Sequence, residues 1–473
     1  LNRSPHPEDY SLSGEDRVFL RDLALRTWRY FAEFSNEKNN WLVPDNVQEE
    51  PYVVAERISP TNLGFLLNAR QAALEFGYLT VSEFVAQTEA TLQTMAKLPR
   101  HFGHFLNWYE TVSLKPLEPR FVSSVDSGNL AASLWALKQG CIDLLSQPLL
   151  RQSALEGIAD YCRLAGGKPA KEMTAISKVK SPSAWLARLL DLPIDRNAGW
   201  WAAELGRRID ALQREIRDYL PLYLPEYDPL RAAGLEPPSY LLTLENAPRF
   251  FADADRRLGV LLAKPALPED LAALGIRLRQ MLAAARDRVL HLAVRLGSQA
   301  ADSDRFVREM SFKLLLDKRR KLLSVGLDAS DGQLSKSCYD LLASESRTAA
   351  FIAVAKNDIE PETWFRIGRQ HTLSEGETVL ISWTGTMFEY LMPVIWMKSQ
   401  PNTLLDRAVS ASVRVQQAYA KHKRVPWGIS EAAFSVRDAQ GNYQYAAFGI
   451  PGLALNVARS GTLVISPYSS CLA

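Results

Sequence analysis

Residues 59–97 read SPTNLGFLLNARQAALEFGYLTVSEFVAQTEATLQTMAK, and the punctuation of this stretch decides the fold class. Ser59-Pro60 opens a helix with proline at the first helical position, where its missing N–H costs nothing. Gly77 closes it. Thr80-x-x-Glu83 opens the next, and Val81, Phe84, Val85, Thr88, Leu92 and Met95 fall on one face at the helical period. Two consecutive amphipathic helices with a short connection are the unit from which the rest of the chain is built.

Upstream, Ser13-x-x-Asp16 reads as a capping box ahead of Leu20, Leu23, Trp28, Phe31 and Phe34. Downstream, helical patterns run over 127–146, 148–165, 200–219, 267–297, 303–324, 335–356, 384–398, 403–421 and 446–458. Strand alternation is rare; a hairpin is expected around Lys321–Asp328. A helical solenoid would repeat every ~34–47 residues, and no such repeat is present. The loops are unequal, which favours a closed toroid of helical hairpins with a site at one end. The long loops 36–59, 99–126 and 422–445 are rich in aromatic and polar residues, as functional loops are. The stretch 165–265 is richer in proline and arginine and reads as an inserted helical subdomain. The expected division is 1–165 as the first part of the barrel, 166–300 as the insertion or an irregular segment, and 301–473 as the second part.

The chain has 473 residues, 47% of them hydrophobic, ample for a large core. Its 55 basic and 53 acidic residues are dispersed and leave a net charge of +2, which excludes the concentrated basic face of a nucleic-acid binder. The run Asp317-Lys318-Arg319-Arg320-Lys321 reads as a solvated helix face. Cys141, Cys162, Cys338 and Cys471 lack CxxC spacing, so neither a disulfide framework nor a zinc site is expected, and a reducing compartment is. No apolar run is long enough to span a bilayer. The chain starts at Leu1 and reads as a piece of a longer polypeptide.

Walker, GxGxxG, HExxH and GxSxG motifs are missing. Of the histidines only His101 and His104 are close, and a loop or sugar-binding role suits them better than a metal. The candidates for acid–base work are therefore carboxylates, with no cofactor and no metal. Glu345 falls on the apolar stripe Cys338, Leu341, Leu342, Ala349, Ile352, Ala353 of the helix expected over 335–356. A buried carboxylate either pairs with an arginine or helix end, or carries the raised pKa a general acid needs. Glu431 lies in Val425-Pro426-Trp427-Gly428-Ile429-Ser430-Glu431, beside Trp427 and ahead of Tyr443 and Tyr445. An acid among loop aromatics suits a sugar, whose apolar ring face stacks while its hydroxyls meet the carboxylate; a solvated loop glutamate is the plainer alternative. Further acids are Asp45, Glu110, Asp126, for which an N-cap is the plainer alternative, and Glu389. Trp108 and Tyr109 are loop rings suited to stacking. Trp383, Phe388, Tyr390 and Trp396 are expected on a helix, most of them as core.

Three early strings, Ser59-Pro60-Thr61-Asn62-Leu63-Gly64, Gly103-His104-Phe105-Leu106-Asn107-Trp108-Tyr109 and Val125-Asp126-Ser127-Gly128-Asn129-Leu130, resemble the glycoamylase-like middle domain of bacterial cyclic β-1,2-glucan synthases. Asp340 to Arg347, Trp383 to Pro393, Val425 to Glu431 and Gly441 to Tyr445 continue the resemblance in order. Glu110 departs from it, since that family usually has aspartate after Asn-Trp-Tyr. The resemblance implies an all-α (α/α)6 barrel with catalytic acids at Glu345 and Glu431. It implies a cytoplasmic place in an inner-membrane synthase, between glycosyltransferase and phosphorylase-like regions of the parent chain. It also implies that linear β-1,2-glucan is closed into cyclic β-1,2-glucan by transglycosylation. The sugar-binding set expected on these strings and their neighbours is Asp45, Arg57, Asn62, His104, Trp108, Tyr109, Glu110, Asp126, Asn129, Trp383, Phe388, Glu389, Trp427, Tyr443 and Tyr445. An endo-β-1,2-glucanase and a non-catalytic glucan-holding module are the alternatives.

Overall fold

A computed structural model of the chain describes residues 12–166, 172, 173, 176, 182–236, 241–265, 267–456 and 462–473. Its main helices are α1 (Gly14–Phe34), α2 (Pro60–Phe76), α3 (Val81–Lys97), α4 (Ser124–Asp143), α5 (Gln152–Ala165), α6 (Pro182–Leu190), α7 (Trp200–Tyr219), α8 (Ala247–Leu262), α9 (Glu269–Glu309), α10 (Arg347–Ala355) and α11 (Leu404–Lys423). The fold class is the expected one, all-α, with only short two-stranded ribbons and no closed β-barrel among the described residues. α4 is buried along most of its length and packs against α2, α9 and α10. α2 also touches α1, α3 and α5. By contrast α1 fully buries only Leu25 and Trp28 and forms part of the outer layer.

The local signals at helix starts hold. Ser13 with Asp16 and Thr80 with Glu83 form complete capping boxes, and Ser59 forms a third with Asn62 ahead of Pro60. Gly77 ends α2 at φ 81, where a Cβ would run into the Ser153 carbonyl.

Several expected helices differ. The patterns over 267–297 and 303–324 are one 41-residue helix ending at Glu309. It runs on through Gly297 because Gln299, Ser303 and Phe306 are buried beyond it, and the Gln299 amide donates to the Val85 carbonyl of α3 at 2.7 Å. Position 300 thus lies inside α9. Of 335–356, only α10 is helical; Ser335 to Ser346 is irregular chain, buried at Cys338 and from Leu341 to Ser344, and bridged by Ser324 to Cys338 and by Leu341 to Gly368. Of 384–398, only Met387–Leu391 and a 3-10 turn form, because Pro393 cannot donate the next helical bond. Of 446–458, the described part holds a single 3-10 turn at Pro451–Leu453, and 457–458 lie outside the described residues. The expected hairpin is displaced: Leu322–Leu323 pairs with Leu316–Asp317, while Gly326–Asp328 pairs with Phe121–Ser123. Its turn is the basic run, held by Asp317 accepting from the Arg319 and Arg320 N–H groups, so the run is solvated as expected but is not helical.

Two buried charges fasten outer elements to inner ones. Arg70 of α2, fully buried, donates to Ser35 Oγ (2.6 Å), Thr91 Oγ1 (2.7 Å) and the Gln87 and Trp41 carbonyls. Burial pulls its pKa down to about 9. Glu215 of α7, also buried, accepts from the N–H and hydroxyl of Ser82 at the start of α3. Burial, above all, pushes its carboxyl up to about 7. All four cysteines are free thiols, and Cys471 alone of them is exposed. No helix among the described residues is long and apolar enough to cross a membrane.

Candidate active site

The site forms where helix starts converge. Ser59 caps α2, Ser123 caps α4, Thr386 caps the short helix Met387–Leu391, and α10 begins just after Glu345. Free N–H groups at such starts make the floor favourable to carboxylates. Asp126 in the first turn of α4 joins α4 to α2: its Oδ1 accepts from Thr61 Oγ1 (2.7 Å) and Thr61 N (3.3 Å). Asn129, one turn on, donates to Thr61 Oγ1 at 3.3 Å. Gly128 lets α4 meet α10 backbone to backbone, since a Cβ there would lie 2.5 Å from Ala349 Cα.

Glu345 sits half-buried in the turn before α10, not within a helix as expected. Its carboxyl is raised well above the ordinary value, first by burial, then by the charges of Glu431, Asp126 and Glu389, with Asn129 opposing as a donor. Glu431 is also raised by burial, but the Tyr445 hydroxyl donates to its Oε2 and opposes the rise. Burial and like charge thus raise Glu345, while the hydrogen bond from Tyr445 favours the ionised form of Glu431.

The Glu431 loop is pinned from several sides. Gln416 of α11 brackets Ile429, accepting from its N–H and donating to its carbonyl, both at 2.9 Å. Tyr468 Oη donates to the Glu431 carbonyl (2.9 Å) and lies 3.0 Å from Ser430 Oγ, which accepts from Phe388 N at 3.0 Å. Glu431 ends the loop and leads into strand Ala432–Arg437, paired with Tyr443–Ala446.

A chain of contacts runs outward from the floor. The Asn107 amide, oriented by its neighbours, donates to Asp126 Oδ2 (2.9 Å) and accepts from Trp108 Nε1 (3.0 Å). Arg57 stacks on the Trp108 ring at 4.5 Å and pairs with Asp45 at 3.1 Å. Thus Glu345, Glu431, Asp126, Asn129, Glu389 and Tyr445 gather at the floor, and Trp108, Arg57 and Asp45 form one wall.

Other expected binding residues have structural duties. Tyr109 is fully buried; its hydroxyl donates to the Pro99 carbonyl (2.6 Å) and accepts from Leu106 N (2.7 Å), so its ring cannot stack on a sugar. His104 is buried against Phe312, with Nδ1 2.9 Å from Ser127 Oγ, and burial pulls its pKa down to about 4. It is a core histidine, out of a ligand's reach. Asn62 is taken up by the α2 capping box, and Glu389 by its own cap and by Thr384 N and Oγ1. Glu110 accepts from Ser113 in its loop. Phe388 packs edge-on against Tyr468, and Trp427 lies half-buried on the core. Trp383 is a loop residue, about one-third exposed, rather than a helical one; Tyr390 is core, as expected. Tyr443 stacks with Arg437 at 5.2 Å. Among the described residues no cluster of three or more His, Cys, Asp or Glu side chains is arranged to hold a metal.

Thr61, Tyr339, Gln416, Ser430 and Tyr468 were not singled out by sequence. The Tyr339 hydroxyl lies close enough to Glu345 and Asp126 for their charges to raise its pKa further above what burial does.

Residues 338–473, which contain both Glu345 and Glu431, match the glycoamylase family model described as "Putative glucoamylase". The whole chain is 34% identical to a segment of the cyclic β-(1,2)-glucan synthase NdvB of Rhizobium meliloti (strain 1021), and spans 16% of that protein's length. Two solved structures align at low identity. An endo-β-1,2-glucanase from Chitinophaga pinensis is 10% identical, with 94% of this chain and 76% of that one covered at a TM-score of 0.49. A Bacteroides fragilis protein with the family model's own description is 11% identical, with 94% and 75% covered at 0.48. The chain is, along its entire length, similar to one segment of a cyclic β-(1,2)-glucan synthase, and the part that carries Glu345 and Glu431 is glycoamylase-like.

Proposed function

We propose that the protein acts on β-1,2-linked glucan as a retaining transglycosylase that closes linear chains into rings. The observation that carries this reading is the pair Glu345 and Glu431, brought close together with the Tyr445 hydroxyl donated to Glu431, an asymmetry that divides their roles. That division supplies an acid and a nucleophile at the same pH. The ionised Glu431 attacks the anomeric carbon; the glucosidic C–O bond breaks, and Glu345 passes its proton to the departing 2-oxygen. Glu345, now a carboxylate, takes the proton of an incoming 2-hydroxyl, whose oxygen displaces Glu431 from the anomeric carbon. When that hydroxyl belongs to the far end of the same chain, the product is a ring, and one β-1,2 bond has replaced another with no nucleotide required. Closing a ring of ~20 units costs about 2–3 kcal/mol in loop entropy, and doubling the size adds only about 0.6, so a spread of ring sizes is expected. In this reading the Trp108–Arg57 wall holds the acceptor sugar where water would otherwise enter. In the parent polypeptide the partners would be glycosyltransferase and phosphorylase-like regions.

The test is incubation with linear β-1,2-glucan, followed by mass spectrometry and a reducing-end assay. Rings 18 mass units lighter than a linear chain of the same number of units are expected, together with the shortened linear segment expelled in the exchange, which keeps the original reducing end, so that no new reducing ends appear. New reducing ends in proportion to chain shortening would replace cyclisation by hydrolysis. Product formation that survives unchanged in Glu345→Gln and Glu431→Gln would remove both acids from the mechanism.

A further inference from the structure

We infer that Tyr445 is a positioning residue for Glu431: its hydroxyl holds Oε2 of the carboxylate and leaves Oε1 to meet the anomeric carbon. This rests on the proposed role of Glu431. Tyr445 lies on the strand Tyr443–Ala446, opposite Ala433, two residues beyond Glu431 on the partner strand. The residue is 63% exposed, so packing of the ring does not explain where its hydroxyl goes. An exposed phenol is ordinarily satisfied by water; this one turns back to the carboxylate.

The contact acts on charge and on geometry. A phenol O–H donated to a carboxylate favours the ionised form, so it opposes the burial that would otherwise leave the proton on Glu431. Although the ring is exposed, the hydroxyl faces inward, where desolvation and then the charge of Glu431 raise its pKa and keep it a donor. Geometrically, Tyr468 fixes the Glu431 carbonyl while Tyr445 fixes one side-chain oxygen, so the residue is gripped at both ends. When Oε1 bonds to the sugar, Oε2 becomes the carbonyl oxygen of the ester. When the acceptor oxygen displaces the ester, negative charge returns to Oε2, and the waiting hydroxyl stabilises it. Tyr445 thus serves both halves of the exchange without touching the reacting carbon.

The substitution Tyr445→Phe keeps the ring and removes the donor. The first readout does not depend on activity: a carbon-13 NMR titration of glutamate carboxyls in the full chain, with the Glu431 resonance identified by its loss in Glu431→Gln. Its midpoint is expected to rise by about one pH unit in Tyr445→Phe. On linear β-1,2-glucan the acidic limb of kcat/KM should move by the same interval, with kcat falling about tenfold at pH 6 and KM within about twofold. A structural role alone would lower thermal stability without moving the midpoint. An unmoved midpoint overturns the inference even in an active enzyme. A wild type with no activity on the glucan overturns the proposed function instead, and the titration still decides the role of Tyr445.

Discussion

Glu215 is a buried acid that the chemistry does not use, and it should make the protein less stable as pH rises. The folded carboxyl sits at about 7, against 4.5 for the ordinary group. Below 4.5 both folded and unfolded chains hold the proton. Above that, the unfolded chain releases it first, and folding must retain a proton the solvent is drawing away. Each pH unit of difference is worth about 1.4 kcal/mol, so roughly 3 kcal/mol of stability is lost between pH 4.5 and 8. The substitution Glu215→Gln abolishes the titration while keeping an acceptor for Ser82 N and a polar partner for Ser82 Oγ. Unfolding entropy of ~2 cal/mol/K per residue amounts to about 1 kcal/mol/K for 473 residues. The difference in melting temperature, wild type minus variant, should therefore fall by about 3 °C from pH 4.5 to 8, read by scanning fluorimetry at matched ionic strength. A difference that stays flat, or that rises with pH, would falsify the linkage argument and imply that the carboxyl is ionised in place.

Glu345→Gln and Glu431→Gln should each lower turnover of β-1,2-glucan at least ~100-fold while leaving glucan binding measurable by calorimetry. Wild-type turnover should follow a bell against pH, lost on the acid side as Glu431 takes a proton and on the alkaline side as Glu345 gives one up. Tyr109→Phe strands a buried N–H and weakens the satisfaction of a carbonyl, at a cost of about 1–3 kcal/mol; melting should drop by a few degrees, and a KM change without destabilisation would return Tyr109 to the substrate surface. Gly128→Ala forces α4 away from α10 and should cost about 1–3 kcal/mol together with much of the activity; a fully active, fully stable variant would show that the crossing does not set the position of Glu345.

Helix starts were legible because a cap is a bond between residues three apart: Ser13 with Asp16 and Thr80 with Glu83 can be read without knowing the fold. The position of Glu345 was harder. Its apolar neighbours Leu341 and Leu342 are buried as expected, but irregular chain packed beneath a bridge to Gly368 hides them, not a helix. Helical spacing and burial of a loop leave the same imprint on so short a run. Glu431 was marked by its aromatic company, yet the partners that fix it, Gln416 and Tyr468, lie 15 residues before and 37 after it and announce nothing locally. Tyr109 shows the converse: a tyrosine after tryptophan in a loop reads as a second stacking ring, and only the tertiary structure reveals that its hydroxyl is a rivet for the chain around Pro99.

The two-stranded ribbons at the rim, Arg57–Ile58 with Tyr109–Glu110 and Ala432–Arg437 with Tyr443–Ala446, stand on a floor of helix starts. Such ribbons have little stability of their own, so their length and side chains can vary while the helices beneath keep the two acids in register. On the proposed function, exchanging residues beside the ribbons, such as Trp108, should then alter the ratio of ring closure to hydrolysis without displacing the two acids beneath.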